Sequence, residues 1–346
     1  MRAFFNDIVI TGMGAVSAGG VGTGELRETV FQKRCMLTPV PDDLLGESGH
    51  LWGKAVGFRA GDFIPPLKAR KLDRCSLFAT VAAGMAMKEA GVDLAEIPPE
   101  RVGIALGCGF GGISNSEEFL RGYFTKGIEG LVPMLFPNTV PNAAASNASI
   151  EYGLKGPNVT QVQRFCSAES AFLMACRFIE EDRADVILAG GADDLNAIML
   201  KGFKSMGQLR GYGSCFGEGS GIVVLERREH AVRRGAAIIG TVGEIRTVGR
   251  LLPGREKEGA EILRCSERPD IVSLSGTAGD MPFLTEGLED IPTIEIGRLV
   301  GRSLAMGGVA MTALLLTLPG WERALHLAAS PEGPLFSIDI IGGPSV

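Results

Sequence analysis

The chain has 346 residues, of which 45% are hydrophobic and 21% charged, with a formal net charge of -6. This acidic balance, without any basic cluster, argues against nucleic acid as a partner. The seven cysteines are odd in number and contain no CxxC pair, which argues against a disulfide framework and a zinc site and indicates a reducing cytoplasm. The length fits one large α/β unit or two lobes.

Two apolar segments resemble membrane elements, but each has a better interpretation. Residues 8–18 could form a signal-peptide core, yet Asp7 precedes them directly, so a strand entering a glycine turn is favoured. Residues 303–320 carry no charge and are rich in Gly, Ala and Met, which predicts a central buried helix rather than a membrane span. We therefore expect a cytoplasmic protein that does not enter a membrane.

Strand and helix patterns alternate along the chain. The first strand starts after Asp7, a charged and Pro-rich surface excursion covers 33–66, and a strong helix closes at Gly91. The remaining predictions are a strand at 101–107, a strand–helix–strand unit within 156–193, a charged helix at 225–235, and then, in a second lobe, a helix at 256–265, strands at 270–274 and 293–296, the apolar helix and a last strand at 335–341.

Cys166 stands where the predicted strand of the 156–193 unit meets its helix. Unpaired amide N–H groups and the helix dipole favour a thiolate at such a position, which makes Cys166 a candidate nucleophile. The alternative is a small core residue, since free cysteines are commonly buried. The residues alone leave both interpretations open.

Glycine runs raise a second hypothesis. Gly107, Gly109 and Gly112 match the G-x-G-x-x-G pattern of a dinucleotide loop, but Glu129 lacks the strand that the acidic partner residue of this pattern requires. The alternative is a rim where the backbone passes close to a bulky group. A further run, 216–220, precedes a strand rather than a helix, which predicts a structural hairpin or a pocket lining.

The placed motifs resemble those of the β-ketoacyl synthase family of the thiolase fold over about the first 245 residues, in family order: IVITGMGAVSAGG, KLDR with AAGMAMKEAG, RVGIALGCGFGG, YGLKGPN, Cys166, ADVILAGGAD and FGEGSGIVVLERREHAVRRGA. The resemblance implies an α/β protein with a thiolase-like, layered α-β-α-β-α architecture of two pseudo-repeated lobes. Residues 1–240 would form the N-terminal lobe and 241–346 a shortened C-terminal lobe.

The resemblance also implies a site. In the family a Cys accepts an acyl chain from acyl carrier protein, two His residues support decarboxylation of the malonyl unit, and a Lys orients one of them. Cys166 occupies the nucleophile position, whereas Ser275 and Arg302 stand at the two His positions and Gly297 at the Lys position. No cofactor is implied beyond acyl groups on the phosphopantetheinyl carrier.

Substrate contacts are implied at four positions of the family motifs. Gly109 and Phe110 belong to the second glycine run, Phe216 to the third, and Ile341 replaces the aromatic residue of the C-terminal Gly-Phe-Gly-Gly gate. The three histidines of the chain, His50, His230 and His326, are predicted to be surface or helix-packing residues rather than replacements for the family His.

These replacements favour a non-condensing role. Arg302 stays protonated and cannot act as a base, and Ser275 is a weak donor. Losing one acid/base or oxyanion donor costs a factor of about 10²–10⁴ in rate. The leading hypothesis is a chain-length-factor type of subunit that pairs with a complete ketosynthase in a type II polyketide or fatty-acid-like system and meets acyl carrier protein.

The pairing element implied by the family is the strand before the nucleophile, here 159–165, where Gln161, Gln163 and Arg164 fit an interface or a blocked tunnel. A heterodimer is favoured, with a homodimer as the alternative. Because chain-length factors commonly lose the Cys and this chain keeps it, a competent synthase or acyltransferase using Cys166 remains the second hypothesis, and a nucleotide-binding protein the third.

Overall fold

The computed structural model describes residues 1–207, 209, 215–250, 254–277, 279, 282–330 and 333–343. Its strands are Arg2–Phe4 (β1), Ile8–Ser17 (β2), Gly20–Val21 (β3), Thr38–Pro39 (β4), Leu51–Gly53 (β5), Val102–Cys108 (β6), Asn158–Gln161 (β7), Val186–Asp193 (β8), Cys215–Gly217 (β9), Gly219–Arg227 (β10), Gly240–Val248 (β11), Ile271–Leu274 (β12), Thr293–Glu295 (β13), Arg323–Ala329 (β14) and Leu335–Gly342 (β15). Its α-helices are Thr23–Phe31 (α1), Asp42–Leu45 (α2), Pro66–Ala69 (α3), Arg74–Ala90 (α4), Ile113–Lys126 (α5), Ala143–Tyr152 (α6), Ser167–Glu180 (α7), Ala197–Ser205 (α8), Arg228–Arg233 (α9), Glu256–Leu263 (α10), Ile296–Leu299 (α11) and Gly307–Leu315 (α12).

The main sheet consists of two halves with the same topology. One half has the order β7-β6-β8-β10-β2 and the other β13-β12-β14-β15-β11. If the strands of each half are numbered in the order in which they occur along the chain, the spatial order in both halves is third, second, fourth, fifth, first. Among the described residues, the two half-sheets are joined where β11 pairs with β2, at Gly240 with Ile10 and Thr241 with Val9. The prediction of two pseudo-repeated lobes is confirmed, while the boundary at residue 240 stays a prediction.

Helices complete a layered arrangement around these half-sheets. Helices α7 and α12 lie in the middle and contribute to one core with strands of both halves. Helices α4 and α6 cover the outer face of the first half, and α10 lies against β11 of the second. This is the α-β-α-β-α order that the sequence predicts.

Helix α4 shows how small residues allow this close layering. Asp73 caps it by accepting a 2.9 Å hydrogen bond from the Ser76 amide, and Gly91 ends it in the left-handed conformation. A β-carbon at Gly14 would lie 2.1 Å from the Ala82 carbonyl oxygen, so β2 must carry glycine there to approach the helix.

The apolar segment 303–320 forms the buried helix α12, all nine residues of which are inaccessible to solvent, as predicted. Among the residues that the structure describes, none of the helices combines the length and apolarity needed to cross a membrane.

Helices α1, α5, α6 and α8 were not predicted from the sequence, and four further details differ from the sequence predictions. Strand β14 was not predicted at all. Strand β7 ends at Gln161 instead of reaching residue 165, because Arg164 adopts a left-handed φ of 53° and turns the chain. Helix α9 starts only at Arg228 because β10 continues to Arg227. The hairpin interpretation of the third glycine run is wrong, since β9 pairs with β5 in a small separate sheet and β10 lies in the main sheet.

Candidate active site

Cys166 lies at a sharp strand-to-helix turn. After β7 the chain forms a 3-10 turn, Arg164–Cys166, and α7 begins at the next residue. Ser167 fixes this turn, because its hydroxyl donates to the Arg164 carbonyl (2.7 Å) and accepts from the Gln163 amide (3.0 Å). The predicted strand–Cys–helix placement is therefore confirmed.

The Cys166 thiol is closed off from solvent. The residue is 0% exposed, and its Sγ donates to the Pro334 carbonyl oxygen at 3.1 Å. Burial raises the pKa of the thiol well above its ordinary value, the charge of Glu169 raises it further, and Arg302 acts in the opposite direction. The prediction that the helix terminus favours a thiolate is wrong, because desolvation of the charged form outweighs the dipole.

Arg302 lies beside Cys166 in the segment before α12, at the place in the second half-sheet unit that Cys166 holds in the first. Its guanidinium carbon stands 4.1 Å from the centre of the Phe165 ring, and its NH2 group donates to the Ala329 carbonyl (2.9 Å). The Arg302 carbonyl accepts from the Gly217 amide (2.9 Å), and the residue is only 4% exposed. Arg302 thus stacks against the turn that holds Cys166 and links this turn to the end of β14.

Ser275 directly follows β12 and is buried. Its amide donates to the Leu327 carbonyl (3.1 Å), and its hydroxyl has no hydrogen-bond partner within the described part of the chain. Gly297 packs against the same loop, since its amide donates to the Gly276 carbonyl (3.2 Å) and a β-carbon there would lie 3.0 Å from that oxygen. The space beside Gly276 therefore holds no lysine-sized side chain.

The implied substrate-binding residues Phe110 and Phe216 meet in an aromatic row. The Phe203 ring lies between them, with centroid distances of 5.9 Å to Phe110 and 5.4 Å to Phe216. Phe216, Phe203, Phe165 and Leu304 belong to one buried apolar cluster. The structure thus places Phe216 in a packed apolar core with Phe165, the residue before Cys166, whereas Phe110 is 37% exposed and contacts this core through Phe203.

Ile341 does not take part in this site. It lies near the far end of β15, paired with Arg323 and Thr241, roughly 20 Å along the strand from Leu335. The groups that close over Cys166 are instead the Ser330 backbone, just after β14, and the Pro334 carbonyl, just before β15. The hypothesis that Ile341 forms the gate is wrong, because the register of the last strand places it away from the nucleophile.

The glycine run after β6 surrounds protein atoms. A β-carbon at Gly107 would lie 2.3 Å from the Ser167 carbonyl carbon, and one at Gly112 would lie 1.6 Å from the Asn138 oxygen. The Gly109 amide donates to the Asp193 carboxylate at 2.7 Å, so the anion held by this loop is the chain's own. These contacts support the interpretation of close backbone passage and leave no cradle for a phosphate.

Asp193 and Asp194, directly after β8, are two site residues that sequence reasoning missed. Burial raises the pKa of Asp193 to about 6 and that of Asp194 to about 7, where neighbouring carboxylates add to the effect. Asp194 also accepts from the Ser114 hydroxyl (3.0 Å) at the start of α5. Two consecutive acids at the end of an apolar strand were the available signal.

The second missed group centres on His326. This residue is fully buried in the middle of β14, with Nδ1 2.7 Å from the Ser273 hydroxyl and Nε2 2.9 Å from the Glu169 carboxylate. The surface or helix-packing prediction is wrong for His326, since β14 was not recognised, and for His50, which is buried in a loop. It holds for His230, which packs on α9 against Glu226.

Within the described ranges, no group of three or more His, Cys, Asp or Glu side chains is arranged to hold a metal ion.

Known structures share this arrangement over nearly the whole chain. A type II polyketide acyl-carrier protein complex with its ketosynthase bound to the hexaketide aligns at 22% identity with a TM-score of 0.81, covering 99% of this chain and 100% of that one. The ishigamide ketosynthase/chain length factor aligns at 22% identity and TM-score 0.83, covering 97% and 100%. A β-ketoacyl synthase from Burkholderia phymatum aligns at 20% and 0.82, covering 98% and 100%. The fold is therefore that of the thiolase-like ketosynthases.

Sequence comparison narrows this class. The model of the β-ketoacyl synthase N-terminal domain matches residues 5–231. The 3-oxoacyl-[acyl-carrier-protein] synthase 2 of Staphylococcus aureus strain COL is 30% identical over 259 residues, which cover 70% of this chain and 63% of that protein. Nodulation protein E of Rhizobium leguminosarum bv. trifolii is 34% identical over 251 residues, 69% of this chain and 62% of that protein. The chain belongs to the β-ketoacyl synthase family, and it matches somewhat less than two thirds of the length of these relatives.

Proposed function

We propose that this chain is a chain-length-factor-like partner of a complete ketosynthase in type II polyketide or fatty-acid-like biosynthesis. It pairs with that ketosynthase as a heterodimer and meets acyl carrier protein as part of the pair. Its own decarboxylative condensation is impaired, because Ser275 and Arg302 stand at the positions where the family carries histidines.

The observation that carries this proposal is the exposure of helix α5 and of the apolar side chains around it. Helix α5 has 14 residues, and none of them is buried. The surface formed by α5 and the segment after it, called the apolar flank here, exposes large hydrophobic side chains: Leu120, Tyr123, Phe124, Ile128, Val132, Met134, Phe136 and Val140. A contiguous exposed apolar surface marks an interaction site.

An open sheet edge adds to the apolar flank. Strand β7 forms the end of the first half-sheet, and in the part of the chain that the structure describes it pairs only with β6. Val162, just beyond it, is 52% exposed. Unpaired strand groups can pair with the strand of another chain. A partner with the same fold can add its own strand here, which supports a family member as that partner.

The closed site supports a role other than condensation. Condensation needs a reactive sulfur and an acid/base group beside it. Cys166 is a buried thiol, and the cation beside it, Arg302, cannot accept a proton. The names of two structural neighbours, a ketosynthase/chain length factor and a ketosynthase with its carrier protein, agree with the proposed partners.

Co-expression with a ketosynthase that carries both family histidines, followed by size exclusion, tests the pairing. We expect a one-to-one complex. Ile128→Ser in the apolar flank should weaken it at least tenfold, whereas Val56→Ser, an equally conservative change at a residue 87% exposed outside the flank, should leave it unchanged. A stable homodimer that forms no complex with the ketosynthase would contradict the proposed heterodimer.

A second candidate function follows from the retention of Cys166 at the nucleophile's turn: a competent synthase or acyltransferase. Incubation of the purified chain with acyl- and malonyl-carrier protein, followed by mass spectrometry, separates the two. The subunit proposal predicts no product from the chain alone. Acylation at Cys166 with product, both lost in Cys166→Ala, would establish the second candidate instead.

A further inference from the structure

Three buried side chains form a continuous hydrogen-bonded line behind the candidate nucleophile. Ser273 on β12 contacts His326 on the neighbouring strand β14 (2.7 Å), and His326 contacts Glu169 on α7 (2.9 Å). All three are 2% exposed or less. If the Ser273 hydroxyl donates to Nδ1, the imidazole carries its proton on Nε2 and donates to the Glu169 carboxylate. The hydrogen-bonded line thus ends at the Glu169 carboxylate, which accepts its last hydrogen bond.

Glu169 is the third residue after Cys166 on the same helical stretch. Residues three apart on a helix are neighbours, with β-carbons roughly 5–6 Å from each other. The carboxylate also lies against the start of α12, where a β-carbon at Gly307 would come within 1.9 Å of Glu169 Oε1. Glycine there makes room for the carboxylate, and a helix N-terminus together with an imidazole donor suits a buried anion.

The groups facing the Cys166 sulfur come from three elements. The charges of Glu169 on α7 and of Arg302 before α12 act on it, and the Ser330 backbone, just after β14, and the Pro334 carbonyl, just before β15, form hydrogen bonds with it. The Pro334 carbonyl accepts a hydrogen bond from the thiol, which favours the S–H form of the sulfur. Of the two charged groups, Arg302 stabilises a thiolate and Glu169 opposes it.

We propose that Glu169, positioned by His326 and Ser273, keeps the Cys166 sulfur protonated and so prevents it from accepting an acyl group. The idea rests on the proposed non-condensing function and supplies its cause. A negative charge one helical turn away in a dry interior strongly disfavours a second negative charge on sulfur. Glu169 and His326 are thus positioning residues that act through Cys166.

Glu169→Gln tests this idea, since glutamine keeps the shape and still accepts from His326. A nearby charge shifts a pKa by about 1–3 units. Alkylation gains from thiolate fraction but loses about half of that gain in nucleophilicity. We therefore expect iodoacetamide at pH 8 to label Cys166 roughly 3- to 30-fold faster in the variant, measured by mass spectrometry against the exposed Cys35 as internal standard.

A matched control lies on the same helix. Burial raises the pKa of Cys176 and the charge of Glu180 raises it further, so Glu180→Gln should speed labelling of Cys176 and leave Cys166 unchanged. A merely structural role of Glu169 predicts something else, namely faster labelling of the buried Cys75 and Cys176 together with Cys166. That outcome, or an unchanged Cys166 rate, would overturn the proposal.

His326→Gln retains an N–H donor for Glu169 and should leave Cys166 as slow as in the wild type. Acceleration as large as that in Glu169→Gln would mean that the imidazole itself, and not Glu169, sets the sulfur's state. Whether or not Glu169→Gln folds, the Cys166 labelling rate of the wild type must rise without a plateau up to pH 9.5. A plateau below pH 8.5 would refute the idea.

These results are independent of the test of the proposed function. Loss of heterodimer formation with an accelerated Glu169→Gln variant would reject the partner role and keep the protonation role. A stable heterodimer, together with an unchanged Cys166 labelling rate in Glu169→Gln, would support the partner role and reject the protonation role.

Discussion

Cys166 and Asp193 show the same physical effect on two different groups. Each lies at the end of a core strand or the start of a core helix, where backbone donors are near. In both cases burial dominates and raises the pKa, since the interior disfavours the charged form more than the donors favour it. At neutral pH the site therefore holds a protonated sulfur and two carboxyls that titrate close to physiological pH.

The two carboxyls predict a pH dependence of stability. The folded-state pKa values of Asp193 and Asp194, about 6 and about 7, lie above the unfolded value near 3.9. The folded state then binds more protons, so their contribution is complete below pH ~4 and is lost as pH rises through 6 and 7. Relative to Asp194→Asn, urea unfolding should show the wild type losing a few kcal/mol between pH 4.5 and 8.

Asp270→Asn serves as the control for this pH dependence. The backbone amides of Arg323 and Glu322 lower the pKa of Asp270, so its contribution has the opposite sign and is lost only as pH falls through its lowered pKa. A wild type whose stability relative to Asp194→Asn stays flat from pH 4.5 to 8 would contradict the raised pKa values.

Gly109 offers a prediction about packing. A β-carbon there would lie 2.6 Å from the Leu304 β-carbon and 2.8 Å from the Asp193 carboxylate oxygen. Gly109→Ala should therefore cost about 1–3 kcal/mol, read as a lower urea midpoint with an unchanged slope. Gly24→Ala on α1 is the control, since nothing lies within 4 Å and alanine should stabilise this helix by about 0.5–1 kcal/mol. Equal effects of the two changes would refute the packing argument.

At the scale of elements, α5 contrasts with α7. Helix α7 buries most of its residues between the half-sheets, whereas α5 buries none. We expect amide hydrogens of α5 to exchange much faster than those of α7 in the isolated chain, because local opening of α5 exposes little apolar surface. Binding of the ketosynthase should slow exchange in α5 and β7 only. Equal protection of both helices in the isolated chain would argue that α5 needs no partner.

Helix α4 and the apolar helix α12 were predictable from the sequence, whereas strand β14 and the end of strand β7 were not. Helix α4, with its capping Asp73 and terminal Gly91, and the uncharged run around α12 carry clear local signals. Strand β14 was missed because its residues follow a Pro-Gly turn closely and include a charge and a histidine among apolar positions. Strand β7 was predicted too long, because no residue pattern around Arg164 indicates its left-handed φ.

For the whole molecule, the family motifs predicted the position of the site better than its state. The motifs correctly placed Cys166 at its turn, and the structure brings Arg302 to it. The state of Cys166 depends also on groups distant in sequence, namely the Ser330 backbone and the Pro334 carbonyl. Such contacts follow from the register of β14 and β15, which no local pattern encodes.

The repeated topology places Arg302 and Cys166 at equivalent points of the two halves, each before the central helix of its half. The two helices, α7 and α12, lie against each other in the core. Their N-terminal ends thus converge on one place, so we expect a change at residue 302 to act on residue 166.

The open edge at β7 and the apolar flank also concern how the chain is made. A strand edge without a partner beside exposed aromatic side chains is a template for unwanted association between identical chains. Molecules synthesised in excess of their ketosynthase would carry this template unprotected and be removed by aggregation or proteolysis. We therefore expect the cell to require matched production of the two polypeptides, with the yield of this subunit limited by the supply of its partner.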